Sequence, residues 1–334
     1  MKKNVILLAV LICLGLLAYF LVNKSNAGKV ISADRLFAYP KEKVKKISVE
    51  KVGKPIQNFE LKNGNWYINN KYKIENHTIR HMLDAISNVT IQNIPSNKAK
   101  ATILKDMKTD GISVKIYDNS SKAVRAYTIG TKAHDDKGTA YLVSGQTQPY
   151  NMYIKGFDGD LRARFYHKID DWRSKEIFAY NPKEIEEIIV DFNKNNEHSF
   201  RITKHKGQYD VNPLNQYIKK SKRPLSQDVI RGYVSLFDKV YGESFDNDNL
   251  HKENIERNNS PFATISVTAK GKTKTIELFP FRDILLEGVS TKDIEEIEQI
   301  ERHFVKINKN EDLMIAQNRL IKPLLRPYSI FHPY

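Results

Sequence analysis

The chain states one apolar pattern twice. Val44, Ile47, Val49, Phe59 and Leu61 recur 141 positions later as Ile185, Ile188, Val190, Phe200 and Ile202. After a turn longer by two residues, Gly64-Asn65-Trp66-Tyr67-Ile68-Asn69 is answered by Gly207-Gln208-Tyr209-Asp210-Val211-Asn212. Six further positions, Ile79, Met82, Leu83, Ile86, Val89 and Ile94, return at a constant offset of 151 as Ile230, Tyr233, Val234, Phe237, Val240 and Phe245. Core-type positions are what repeat, so the duplicated object is a fold. No set of Ser, His, Cys, Asp or Glu is duplicated with it.

Within each copy the alternation of apolar residues reads as strands with one buried face. Val44 to Glu50, Phe59 to Leu61 and Trp66 to Ile68 are expected strands, the last two joined by a Lys62-Asn63-Gly64-Asn65 hairpin turn, because Asn and Gly tolerate positive φ. A helix is expected from Asn76 to Asn88 on the stripe Ile79, Met82, Leu83, Ile86. Its counterpart starts at Ser226, a suitable N-cap, with Leu225 placed to staple onto Ile230. After a polar crossover, strands are expected at Ile112 to Tyr117, Tyr127 to Ile129, Tyr141 to Val143 and Met152 to Ile154. Their second-copy partners lie at Ile265 to Thr268, Ile276 to Leu278, Phe304-Val305 and Leu313 to Ile315. The expected fold class is α+β: two tandem homologous repeats, each an antiparallel sheet with a long helix packed on it, after an N-terminal transmembrane helix. The expected divisions are 1–28 (anchor), 29–180 (first repeat) and 181–334 (second repeat).

The anchor follows from Lys2 and Lys3 ahead of an uninterrupted apolar run from Val5 to Val22. Eighteen helical residues reach roughly 27 Å, close to the thickness of a bilayer core. Ser25-Asn26-Ala27 also offers a signal-peptidase site, so cleavage stays open beside an uncleaved anchor. Leading lysines favour a cytoplasmic N-terminus, so a single-pass chain with its body outside the cytoplasm is expected. Cys13, the one cysteine, lies inside the run, so the body has neither thiol nucleophile nor disulfide.

Charge is uneven: residues 29–180 carry net +11 and residues 181–334 net +1. Outside the cytoplasm, a scattered basic surface points to anionic lipid or an acidic envelope polymer more than to nucleic acid. The second copy adds an acidic segment, Ser290 to Glu301, with a capping-box spacing at Ser290 and Asp293. Its residues Glu295, Glu296, Glu298 and Glu301 form either a solvated face or a docking helix for a basic partner.

Candidate chemistry is thin. His77 and His81 share a helix face, but Thr78 stands where a zinc-protease motif has Glu, and two ligands do not make a zinc site. Asp135-Asp136, Asp158-Gly159-Asp160 and Asp170-Asp171 fall in turn-rich segments and read as solvated turns. Trp66 and Tyr209 read as hairpin packing. Asp171-Trp172-Arg173-Ser174-Lys175 stands between the copies, before Asn181-Pro182. It reads as an inter-repeat hinge with Trp172 buried between the halves, or as the lining of a groove in which Trp172 and Arg173 touch a ligand. No catalytic, cofactor-binding or metal residue is expected.

The lysine-led anchor, Gly64-Asn65-Trp66-Tyr67-Ile68, the helix, Tyr127-Thr128-Ile129-Gly130, Tyr141-Leu142-Val143 and Trp172-Arg173-Ser174-Lys175 together resemble the bacterial domain-of-unknown-function family 4340. That resemblance implies a membrane-anchored envelope protein with no established catalytic residues. Some members resemble auxiliary subunits of an ABC-type transporter linked to gliding motility, so a protein partner in an envelope complex is implied.

Overall fold

A computed structural model describes residues 34–133, 138–193, 196–215, 220–248, 252, 255, 260–280, 301–308 and 312–332. The chain divides between Arg173 and Ser174 into two compact units. In the first, helix α1 (Asp34–Phe37) leads into β1 (Lys46–Lys51), β2 (Gln57–Lys62), β3 (Asn65–Ile68), β4 (Tyr72–Lys73), α2 (Asn76–Asn88), β5 (Val89–Asn93), α3 (Asn97–Asp110), β6 (Ile112–Tyr117), β7 (Arg125–Lys132), β8 (Thr139–Val143), β9 (Tyr150–Ile154) and α4 (Ile169–Trp172). The strands make one antiparallel sheet in the order β4-β3-β2-β1-β6-β7-β8-β9-β5. Helix α2 therefore carries the chain from one sheet edge to the other.

The second unit begins with β10 (Glu176–Phe178), followed by β11 (Ile185–Phe192), β12 (Phe200–His205), β13 (Gln208–Pro213), α5 (Gln227–Ser235), β14 (Val240–Tyr241), β15 (Ser244–Phe245), β16 (Ala263–Ala269), β17 (Lys272–Pro280), β18 (Arg302–Ile307), β19 (Met314–Gln317) and α6 (Asn318–Ile321). Its sheet runs β13-β12-β11-β16-β17-β18-β19-β15, the same order as the first without β4, and β10 pairs with β14 apart from it. Ile47 lies in register between Phe59 and Ile116, as Ile188 does between Ile202 and Val267. All six side chains are buried, and each contributes roughly 1.5–3 kcal/mol by leaving water. Asn63-Gly64 and Lys206-Gly207 both turn their hairpins with paired positive φ, the geometry that matches strand twist.

The expected fold class is corrected. The described chain is sheet-rich, with sheets of nine and eight strands, and its longest helix has only 14 residues. No helix among the described residues is long and apolar enough to cross a membrane, and the run from Val5 to Val22 lies outside them. The reason is local. Only the first four of the six matched positions ride on α2, because the β-branched run Val89-Thr90-Ile91 passes straight into edge strand β5. In the second unit the helix ends at Ser235, and Val240 and Phe245 already belong to strands.

Each unit closes on itself. The Glu75 N–H, at the start of α2, donates to the Trp172 carbonyl (2.8 Å), and the Ser226 N–H, at the start of α5, donates to that of Phe331 (3.0 Å). The Trp172 ring meets Phe59 edge-on at 4.9 Å, and the Phe331 ring meets Phe200 in the same way at 4.9 Å. Trp172 is fully buried among first-unit residues, with Nε1 donating to Gln57 Oε1 (3.1 Å). It latches the closing segment of the first unit onto β2. Arg173 is buried beside it, its guanidinium 3.9 Å from the Tyr72 ring centroid and 2.8 Å from Asp170.

A buried polar residue helps position each closing segment. Thr139 on β8 accepts the Leu161 N–H (3.1 Å) and donates to Asp160, and His303 on β18 bonds Asn318 through Nε2 (2.9 Å).

Candidate cleft beside helix α3

Helix α3 is the element that sequence reading left as a polar crossover. Ser96 caps it, accepting the Ala99 N–H (3.3 Å), and Gly111 ends it with an N–H to the Met107 carbonyl (3.0 Å). Of its 14 residues only Met107 is buried. Met107 rests on Gly130 of β7, where a β-carbon would come within 2.8 and 2.9 Å of the methionine side chain. Asp110 fixes the same end by pairing with Arg162 (2.5 Å) and Lys51 (3.2 Å). The hydrogen bond from Arg162 holds the Asp110 carboxyl below its ordinary range, with Lys51 adding to it. Anchored at its C-terminal end, α3 stands off the sheet toward its N-terminus.

The space left is an open cleft of about 480 Å³, within the usual range for ligand sites. Ala99, Thr102, Ile103 and Asp106 line it from the helix, and Thr131, Ala140 and Asn151 from the sheet. Two irregularities shape its floor. The β5–β9 register slips between Ile91 and Asn93, setting Asn93 opposite Asn151, and β7 slips against β8 between Ile129 and Lys132. Asn151 Nδ2 donates to Asn93 Oδ1 (2.7 Å). Its own Oδ1 is buried and has no partner among the described residues. Lys98 and Lys132 reach the cleft, and none of Lys98, Lys100, Lys105 and Lys108 takes part in an ion pair among the described residues.

The site residues expected from sequence lie elsewhere. Trp172 and Arg173 belong to the first-unit latch. Glu301 is solvent-exposed, 3.7 Å from Arg302, while Glu295, Glu296 and Glu298 lie outside the described residues, as do Asp135 and Asp136. Asp160 caps the turn Leu161–Arg164. The His77 and His81 rings lie 6.3 Å apart, and burial together with Arg164 lowers the His81 pKa. No three His, Cys, Asp or Glu converge on a metal-sized site among the described residues. Sequence reading missed Asn93, Lys98, Asp106, Gly130 and Asn151. The available signals were Ser96 as a cap and the spacing of Ala99, Ile103 and Met107 at i, i+4, i+8.

The chain belongs to the family described as Domain of unknown function (DUF4340), whose model matches residues 66–239, from β3 of the first unit through α5 of the second. Among curated proteins there is no match to the chain.

Proposed function

We propose that this chain is a non-enzymatic accessory or scaffold protein of a bacterial envelope complex, tethered to the inner membrane by its N-terminal run, with both units outside the cytoplasm. The observation that carries the reading is helix α3, a 14-residue helix that buries one side chain and holds four lysines without carboxylate partners among the described residues. Such an element contributes little to its own core and offers much surface to a partner. The carboxylates that sequence singled out support the same reading, because Asp160 and Asp170 serve a helical cap and an arginine pair. The family resemblance adds a membrane transporter as the kind of complex to examine first.

The test is photo-crosslinking in native membranes from a reactive residue at half-buried Lys100 on α3. A discrete adduct of constant mass, retained in the pellet after carbonate washing, is expected. Absence of any adduct, or a soluble species beginning at Gly28, overturns the accessory role or the tether respectively.

A further inference from the structure

Four strand positions decide what lies beside the sheet. In the first unit, adjoining strands present Gly130, Ala140, Asn151 and Asn93 across β7, β8, β9 and β5. The equivalent positions of the second unit hold Phe279, Phe304, Ile315 and Ser244, paired in sequence across β17, β18, β19 and β15. There Phe279 and Phe304 pack with Ile255 and Leu313 into a small apolar cluster. One framework therefore fills this face with phenylalanine in one unit and leaves a cleft floored by small and amide side chains in the other.

We infer that the α3 cleft is a binding site for a short acidic, partly apolar peptide segment of a partner protein. The inference rests on the accessory reading above and adds the place and the chemistry. Asn151 is only 7% exposed, and its unmet Oδ1 calls for an N–H donor, which a peptide backbone supplies. Lys98 supplies positive charge at the N-terminal end of the helix, where the helix dipole also favours an anion. Ala99 and Ile103 give the helix wall an apolar stripe for alternate side chains. Asp106 lies two helical turns from Lys98, roughly 12 Å along the axis. It disfavours a uniformly anionic surface such as a lipid bilayer, and favours a ligand whose carboxylates sit at one end and whose N–H groups sit at the other.

The test uses the full chain in detergent and two fluorescein-labelled octapeptides, one with two Glu at one end followed by alternating Val and Ser, the other with Lys in place of Glu, read by anisotropy at low salt. The acidic peptide should bind at least about tenfold more tightly than the basic one, and Lys98→Glu should weaken it by about tenfold without moving the thermal midpoint. Asn151→Leu should also weaken it, and Lys239→Glu in the second unit should not. Should Asn151→Leu fail to fold, Lys98→Glu decides alone. Equal binding of the two peptides, or indifference to Lys98→Glu, overturns the inference. So does displacement of the peptide by anionic phospholipid vesicles with the same Lys98 dependence, which would assign the cleft to lipid. A discrete crosslink from Lys100 without acidic-peptide binding would overturn the chemistry and leave the accessory role standing.

Discussion

The two units share a strand order and differ in what they place on it. Facing α3, the first has Gly130 and Ala140 where the second has Phe279 and Phe304. On the opposite, core face of the same strands the contrast reverses, with Tyr127 and Tyr141 standing where the second unit has Ile276 and Val305. The edges differ as well: β3 is covered by β4, whereas the Tyr209 N–H and C=O of β13 are both met by the side chain of Gln227. A common framework fixes backbone pairing, and side-chain volume then determines whether a face becomes core or cleft. The difference is local to a few positions, so single substitutions can test it.

The largest expected effect concerns the latches, where the units should behave alike. Trp172→Ala should cost the first unit about 3–5 kcal/mol, and Phe331→Ala should cost the second about the same, since each removes a buried aromatic packed edge-on against a buried phenylalanine, Phe59 of β2 or Phe200 of β12. Hydrogen exchange resolved by segment is the measurement. Loss of protection in β11 and β12 as large as that in β1 and β2 on Trp172→Ala would end the description of Trp172 as a first-unit latch.

Next comes the position that divides the units. Gly130→Phe should push Met107 away and cost about 1–3 kcal/mol through overpacking, with faster exchange confined to α3. If β1 and β6 lose as much protection as α3, the helix is part of the core and not an element docked at one end.

How much of this was legible in the sequence varied with the physics of each element. Strands such as Ile112–Tyr117 were legible because one-sided burial imposes strict alternation. Helix α3 was not, because lysines at 98, 100, 105 and 108 obscure a stripe that buries one residue. The cleft left no chemical signature, since glycine, alanine and asparagine announce nothing until strand pairing aligns them with Phe279, Phe304 and Ile315. Trp172 stood out, yet its role did not, because its counterpart Phe331 lies 159 positions away and breaks the offset of 151 that the helix keeps.

A third prediction uses pH to separate the clasps. His303 is buried; its Nε2 bonds Asn318, and its Nδ1 has no partner among the described residues. Burial therefore lowers its pKa below the ordinary histidine value, the Asn318 bond opposing only in part. The unfolded chain takes up this proton first as pH falls through about 6.5. The stability His303 contributes is thus present above that pH and is lost below it, down to the folded pKa, by at most about 1.4 kcal/mol per pH unit. Thr139, its first-unit equivalent, does not titrate. His167 there is also lowered by burial, but Asp171 opposes it. His303→Gln should flatten the acid limb of second-unit unfolding, and an unchanged limb would place the titrating group elsewhere.

The smallest effect tests the reversed contrast inside the core. The Tyr127 and Tyr141 rings lie 5.3 Å apart, both hydroxyls are buried, and neither has a partner among the described residues. Burial drives both phenols well above their ordinary pKa, Tyr127 and Asp160 adding to the shift at Tyr141. They stay neutral at every physiological pH and contribute no charge to folding. A hydroxyl buried without a partner costs free energy that a phenylalanine of the same outline avoids. Tyr141→Phe should therefore stabilise the first unit by about 1 kcal/mol, moving its chemistry toward that of Val305 without opening a cavity. Thermal unfolding at neutral pH decides the point. A loss of stability instead would mean that the two hydroxyls share an ordered water, and that the first unit keeps a hydrated pair where the second is dry.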